Sequence, residues 1–190
     1  MNRALVLACC FAVCLPSGLL AQTEVPKLAA AQAVPAELTA HLPAGRLGGR
    51  SRLTVWGFQV YDATLWVAPG FKAGAFENHA FALELAYLRK FKSEDIAKRS
   101  LAEMGRQRSI PVEKAANWER QLTDVFPDVK PGDRITGIYQ PGQGSKFLVN
   151  GLLQRPLPDT EFSRLFFGIW LAETTSEPVM RRELLSQTTP

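Results

Sequence analysis

Two hydrophobic periods alternate along this chain, and their order limits the folds open to it more than any other property of the sequence. Residues 47–67 (LGGRSRLTVWGFQVYDATLWV) are rich in β-branched and aromatic side chains. Gly57 interrupts their alternation as a bulge or sharp bend does, so two consecutive strands are expected. Residues 81–88 resume the alternation, with Phe81, Leu83, Leu85 and Tyr87 on one face. The period then changes. Ser93, followed by Glu94 and Asp95, marks a helix start, the hydroxyl serving as cap and the carboxylates suiting the positive end of the dipole. That helix runs to about Gln107, with Ile96, Ala97, Ser100, Leu101 and Met104 on its apolar stripe and Lys98, Arg99, Ala102 and Arg106 toward water. A second helix opens at Pro111 and turns Val112, Ala115, Ala116, Trp118, Leu122, Val125 and Phe126 inward. Strands return at residues 133–139, 146–150 and 152–155, the last two joined by the turn signal Asn150-Gly151. Residues 159–171 are apolar on nearly every side of a helix and must be buried, and Ser176-Glu177-Pro178 begins a short terminal helix ending near Leu185. Strands, two helices, strands, two helices is the order of an α+β domain whose helices cover one face of an antiparallel sheet.

The 190 residues contain three cysteines, Cys9, Cys10 and Cys14, all inside the apolar run of residues 4–15. Arg3 precedes that run and Pro16-Ser17-Gly18 follows it, the order of a secretory signal peptide, and about 12 apolar residues fall short of the roughly 20 of a membrane span. Cleavage between Ala21 and Gln22 is expected, with lipid attachment at a cysteine disfavoured by the large Val13 before Cys14. The mature chain then has 169 residues, no cysteine and a formal charge of +3 in place of +4. Such an exported protein, periplasmic or secreted, relies on its core and not on disulfides. A mean hydropathy of −0.04 with 46% hydrophobic residues supplies that core and excludes a disordered chain. Residues 22–41, Ala- and Pro-rich with weak periodicity, read as a flexible leader with one short helical turn at residues 36–40, before a domain over residues 42–186.

Most chemistries are excluded by residue type. Only His41 and His79 remain as soft metal ligands, so no metal is expected. No GxSxG elbow occurs, and the Gly-rich turns at residues 45–49 and 142–144 lack the lysine and serine of a phosphate loop. The basic residues between Arg89 and Arg108 are interleaved with Glu94, Asp95 and Glu103, the pattern of a solvated helix and not of a nucleic-acid surface. Glu119, at the edge of the second helix's apolar stripe, fits a boundary carboxylate paired with a cation or, less readily, a general base. Arg52 and Tyr61 stand out as two groups able to bind a carboxylate or phenolate on strands otherwise packed with large apolar side chains. They also fit a surface arginine beside a core-edge tyrosine.

Several motifs carry a family likeness: Gly49-x-x-Arg52-Leu53, then GFQVYDA-x-LW at residues 57–66, LELAYLRKF, FPDVKPGDRITGIYQPGQG, and FFGIWL followed by SEP-x-x-R. Together, over residues 42–186, they resemble the bacterial chalcone isomerase-like family. The resemblance implies an open-faced β-sandwich, a large antiparallel sheet covered on one face by helices with a ligand cleft between them. It also implies one of two activities, since that fold hosts isomerases and non-catalytic fatty-acid-binding proteins. Arg52 matches the cleft arginine of the plant isomerases, whereas their threonine, tyrosine and asparagine fall on Trp56, Lys92 and Arg99, and a hydroxyl of the C-terminal helix falls near Met180. Trp and Met cannot donate to a developing enolate in the same geometry. The expectation is therefore an exported, non-catalytic protein without cofactor, binding a small amphipathic acid such as a fatty acid through Arg52 and Tyr61. The alternatives are an intramolecular lyase acting on an unknown substrate and an envelope protein-interaction module.

Overall fold

The computed structural model describes residues 33–189. The expected signal peptide, its cleavage site and residues 22–32 of the expected leader lie outside the described residues. A short helix α1 (Ala36–Thr39) leads into the hairpin β1 (Arg46–Val55) and β2 (Phe58–Val67). A 3-10 segment (Ala73–Asn78) and β3 (Phe81–Tyr87) follow, then α2 (Ser93–Gln107) and α3 (Val112–Val125). The chain ends with β4 (Arg134–Gln140), β5 (Gly144–Val149), the two-residue β6 (Leu152–Leu153), α4 (Thr160–Leu171) and α5 (Pro178–Leu184). Among the described residues the six strands form one antiparallel meander in the order of the sequence.

Strand alternation places Ala63, Leu65 and Val67 with Phe81, Leu83, Leu85 and Tyr87 on the helix-covered face. The aromatic centre of the core lies there: Phe81 stacks on Tyr139 at 5.0 Å between centroids and meets Phe167 of α4 edge-on at 5.0 Å. Each fully buried Phe of this kind contributes about 1.5–3 kcal/mol of transfer free energy. Gly137 leaves room for that helix, since a Cβ there would lie 2.8 Å from the Phe167 ring. The face opposite the helices is not bare. Trp66, Ala82, Ile138 and Leu148 form a smaller cluster closed by Leu38 and Leu42, each 1% exposed, so residues around α1 pack on the outer face of the sheet.

Three local expectations are corrected. Ser93 does not cap α2 with its hydroxyl, which donates to the Thr123 carbonyl. The cap is Asp128, whose Oδ1 accepts from the Ser93 N–H at 3.0 Å while Oδ2 binds Lys92 Nζ at 2.6 Å. Val112 and Ala116 are exposed because α3 meets the core only along Trp118, Leu122 and Val125. The third concerns Glu103, absent from the expected α2 stripe yet 8% exposed.

Candidate functional site: a cleft between sheet and helices

The hairpin register decides what faces the cleft. From the turn, Val55 pairs with Phe58 and Thr54 with Gln59, but the register then shifts by one, so Leu53 pairs with Tyr61 and Arg52 with Asp62. The extra residue, Val60, makes a β-bulge, and a slip of one residue exchanges the faces of every side chain beyond it. Tyr61 and Leu53 therefore face the helices, and Arg52 faces away. Arg52 Nε and Nη2 grip the two carboxylate oxygens of Asp62, the Nη2 contact at 2.7 Å, and Nη1 donates to Gln59 at 3.0 Å. This bidentate pairing holds the Asp62 carboxyl below the usual carboxylate range. Of the two residues expected to share one ligand site, Tyr61 lines the cleft and Arg52 does not.

The cleft encloses about 410 Å³. Leu53, Tyr61, Leu85, Tyr87 and Ile135 form its sheet side; Ile96, Ser100, Phe166 and Ile169 form its helix side. Phe91 and Phe126 also line it. Helix α4 is held in place because Asp159 caps its first turn, accepting from Phe162 N–H at 2.9 Å, and because Gln107 of α2 donates to the Leu165 carbonyl at 2.7 Å.

Few polar groups enter this apolar space. The Tyr61 hydroxyl accepts from Trp170 Nε1 at 3.0 Å, and burial pushes the phenol up to about 12. Tyr87 packs edge-on against Tyr61 with centroids 6.0 Å apart, and burial raises its phenol too. Among the described residues the Tyr87 hydroxyl has no hydrogen-bond partner. At the rim, Glu103 accepts from Ser176 Oγ at 2.8 Å and pairs with Arg99 at 2.7 Å and with Arg106 at 3.6 Å. Asp95 and Glu177 also reach the rim. Arg99, expected on the water side of α2, has a side chain that is 71% exposed and also borders the cleft, through its ion pair with Glu103. Its (i, i+4) spacing to Glu103 was visible in the sequence; that Ser176 would cover the pair was not.

The remaining candidates lie elsewhere. Trp56 is 94% exposed at the tip of the β1–β2 hairpin, Lys92 is engaged by Asp128, and Met180 is buried. Glu119 borders a separate, open groove of about 730 Å³ between α3 and residues 155–158, a surface hollow away from the cleft. Among the described residues no cluster of three or more His, Cys, Asp or Glu could hold a metal ion, and no helix is long and apolar enough to cross a membrane.

With this geometry the likeness to known proteins can be weighed. A curated relative, an uncharacterized protein of Haemophilus influenzae, is 31% identical over 72 residues, spanning 38% of this chain and about a third (35%) of that protein. Among solved structures, the crystal structure of an Arabidopsis thaliana fatty-acid binding protein, AtFAP1, superposes with a TM-score of 0.60 at 11% identity. That match covers 75% of this chain and 87% of AtFAP1, a likeness of fold. A family model described as chalcone isomerase-like matches residues 34–186, beginning with α1 and ending beyond α5. By that match the chain belongs to the chalcone isomerase-like family.

Proposed function

We propose that this protein is a non-catalytic carrier that holds a small amphipathic carboxylic acid, such as a fatty acid, in the cleft between sheet and helices. The observation that carries this reading is the cleft itself, an apolar space of about 410 Å³ bordered by an arginine and two buried phenols. That volume falls in the roughly 300–1,000 Å³ range of small-molecule sites, and a few polar groups on apolar walls suit a ligand with one polar end. Arg99, and not Arg52, is the group that meets the carboxylate. It can turn from Glu103 to a ligand because Glu103 keeps Ser176 and Arg106 as partners. Tyr87 supplies a second donor. The description of AtFAP1 as a fatty-acid binding protein agrees with this ligand class.

Three of the residues at the plant isomerase positions support carriage over catalysis, whereas Arg99, at the asparagine position, borders the cleft. Trp56 stands at a hairpin tip, Lys92 is paired with Asp128, and Met180 is apolar, so none offers a donor to an enolate in the cleft. Export to the periplasm or beyond belongs to the same proposal and rests on the N-terminal sequence pattern alone. Native mass spectrometry of the purified protein tests the reading: a copurifying fatty acid or similar amphipathic acid is expected. A stoichiometric protein partner without lipid, or turnover of a chalcone panel above the buffer rate, would overturn it.

A further inference from the structure

The β1–β2 turn has a conformation its sequence does not favour. Trp56 and Gly57 are the two central residues between the paired Val55 and Phe58, and both have positive φ, 49° and 81°. A two-residue hairpin turn of this kind favours Asn-Gly, because asparagine tolerates the left-handed region and bulky residues do not. The same protein shows the ordinary solution in its β5–β6 turn, where Asn150 and Gly151 take φ of 50° and 84°. At the first turn a tryptophan occupies the asparagine position, strained, and 94% exposed. Its neighbours Val55 and Phe58 are 39% and 57% exposed, and Arg89 lies over the Phe58 ring at 4.8 Å from its centroid. Beside Arg89, Lys90 is exposed and forms no ion pair among the described residues. The three other tryptophans, Trp66, Trp118 and Trp170, are all buried.

We infer that this hairpin tip docks the protein on an anionic phospholipid bilayer, with Trp56, Phe58 and Val55 entering the interface and Arg89 and Lys90 meeting the lipid headgroups. An exposed indole flanked by apolar side chains and cations has the chemistry of the membrane–water boundary, where aromatic rings lie at headgroup level and basic residues are drawn to anionic lipid. The tip is continuous with the cleft, since Val55, Leu53 and Val60 are also cleft-lining residues. A docked tip therefore brings the cleft rim to the bilayer surface, and an apolar ligand passes between them without crossing water. Docking stands on the tip alone; ligand passage rests on the carrier reading above.

Because Trp56 is the exposed tryptophan, its emission reports the contact directly. The purified protein is mixed with vesicles of phosphatidylcholine alone or with phosphatidylglycerol, and with the same mixtures carrying bromine-labelled acyl chains. A blue shift and bromine quenching on phosphatidylglycerol vesicles are expected, both reversed by salt. The double variant Arg89→Gln, Lys90→Gln, which keeps Trp56, should partition roughly 25-fold less, about fivefold for each cation removed. Trp56→Gly, at ease with positive φ, should keep its equilibrium affinity for a fluorescent fatty acid while taking that ligand from vesicles more slowly. No shift or quenching on anionic vesicles would overturn docking, as would a Trp56-dependent dimer in light scattering with no vesicle contact. Docking without ligand uptake would overturn the carrier reading and leave docking standing.

Discussion

Trp170 of α4 donates a 3.0 Å hydrogen bond from its indole N–H to the Tyr61 hydroxyl of β2, tying helix to sheet at the wall of the cleft. Tyr61→Phe removes the acceptor and leaves the indole N–H buried without a partner. The expected loss is about 1–3 kcal/mol of stability, the cost of an unsatisfied buried donor, read as a lower denaturant midpoint with an unchanged slope.

The same burial gives a signature in alkali. The Tyr61 phenol rises from its ordinary value of about 10 to about 12 in the fold, and Tyr87 is raised as well. A raised value means the folded state holds the proton more tightly than the unfolded one. Stability from these groups is thus complete below about pH 10 and declines as pH rises through the folded value. Chemical denaturation between pH 8 and 12 should show this fall, with a shallower one in Tyr61→Phe.

Gly137 of β4 admits the Phe167 ring at a distance that a methyl group would fill, with a Cβ at 2.8 Å from two ring atoms and 3.1 Å from Phe147. Gly137→Ala must push α4 off the sheet. A destabilisation of about 1–3 kcal/mol is expected, as for overpacking of a close-packed core, and it is measured by the thermal midpoint.

Asp128 caps α2 from 35 residues away in sequence, and its bonds to Lys92 and the Ser93 N–H hold its carboxyl below the usual carboxylate range. A lowered value gives stability that is present above the unfolded carboxylate value, about 4, and lost as pH falls through the folded one. Asp128→Ala should lower the thermal midpoint at neutral pH, and the difference from the parent should shrink in acid. Ser93→Ala, which removes a hydroxyl that caps nothing, should cost less.

The element order and most boundaries were legible because each segment's period, cap or turn signal is local. Helix α2 begins at Ser93 and ends at Gln107 as its sequence implies, and Asn150-Gly151 makes the turn its residues favour. The site was legible only in part. With the two-residue turn at Trp56-Gly57 and no bulge, Arg52 would stand directly opposite Tyr61 on the cleft face. The extra Val60 moves the pairing by one and gives Arg52 to Asp62 instead. The bulge leaves only a slight trace in the sequence, two consecutive apolar residues at Val60-Tyr61 where the alternation slips, and that trace does not say which residue Arg52 meets. Glu103 was missed for a related reason: its burial depends on Ser176, 73 residues later in the chain.

The carrier reading is tested most directly by titrating delipidated protein with cis-parinaric acid, followed by displacement with dodecanoate or dodecylamine. The account predicts one saturable site, displaced by the acid and not by the amine. Affinity should fall at least about tenfold in Arg99→Ala, as for loss of a charge-assisted hydrogen bond, and stay unchanged in Arg52→Ala. Absence of saturable binding would contradict the account, and so would weakening by Arg52→Ala alone. Preferential displacement by the amine would do so as well, because the rim carboxylates of Asp95, Glu103 and Glu177 would then outweigh Arg99 in choosing the ligand.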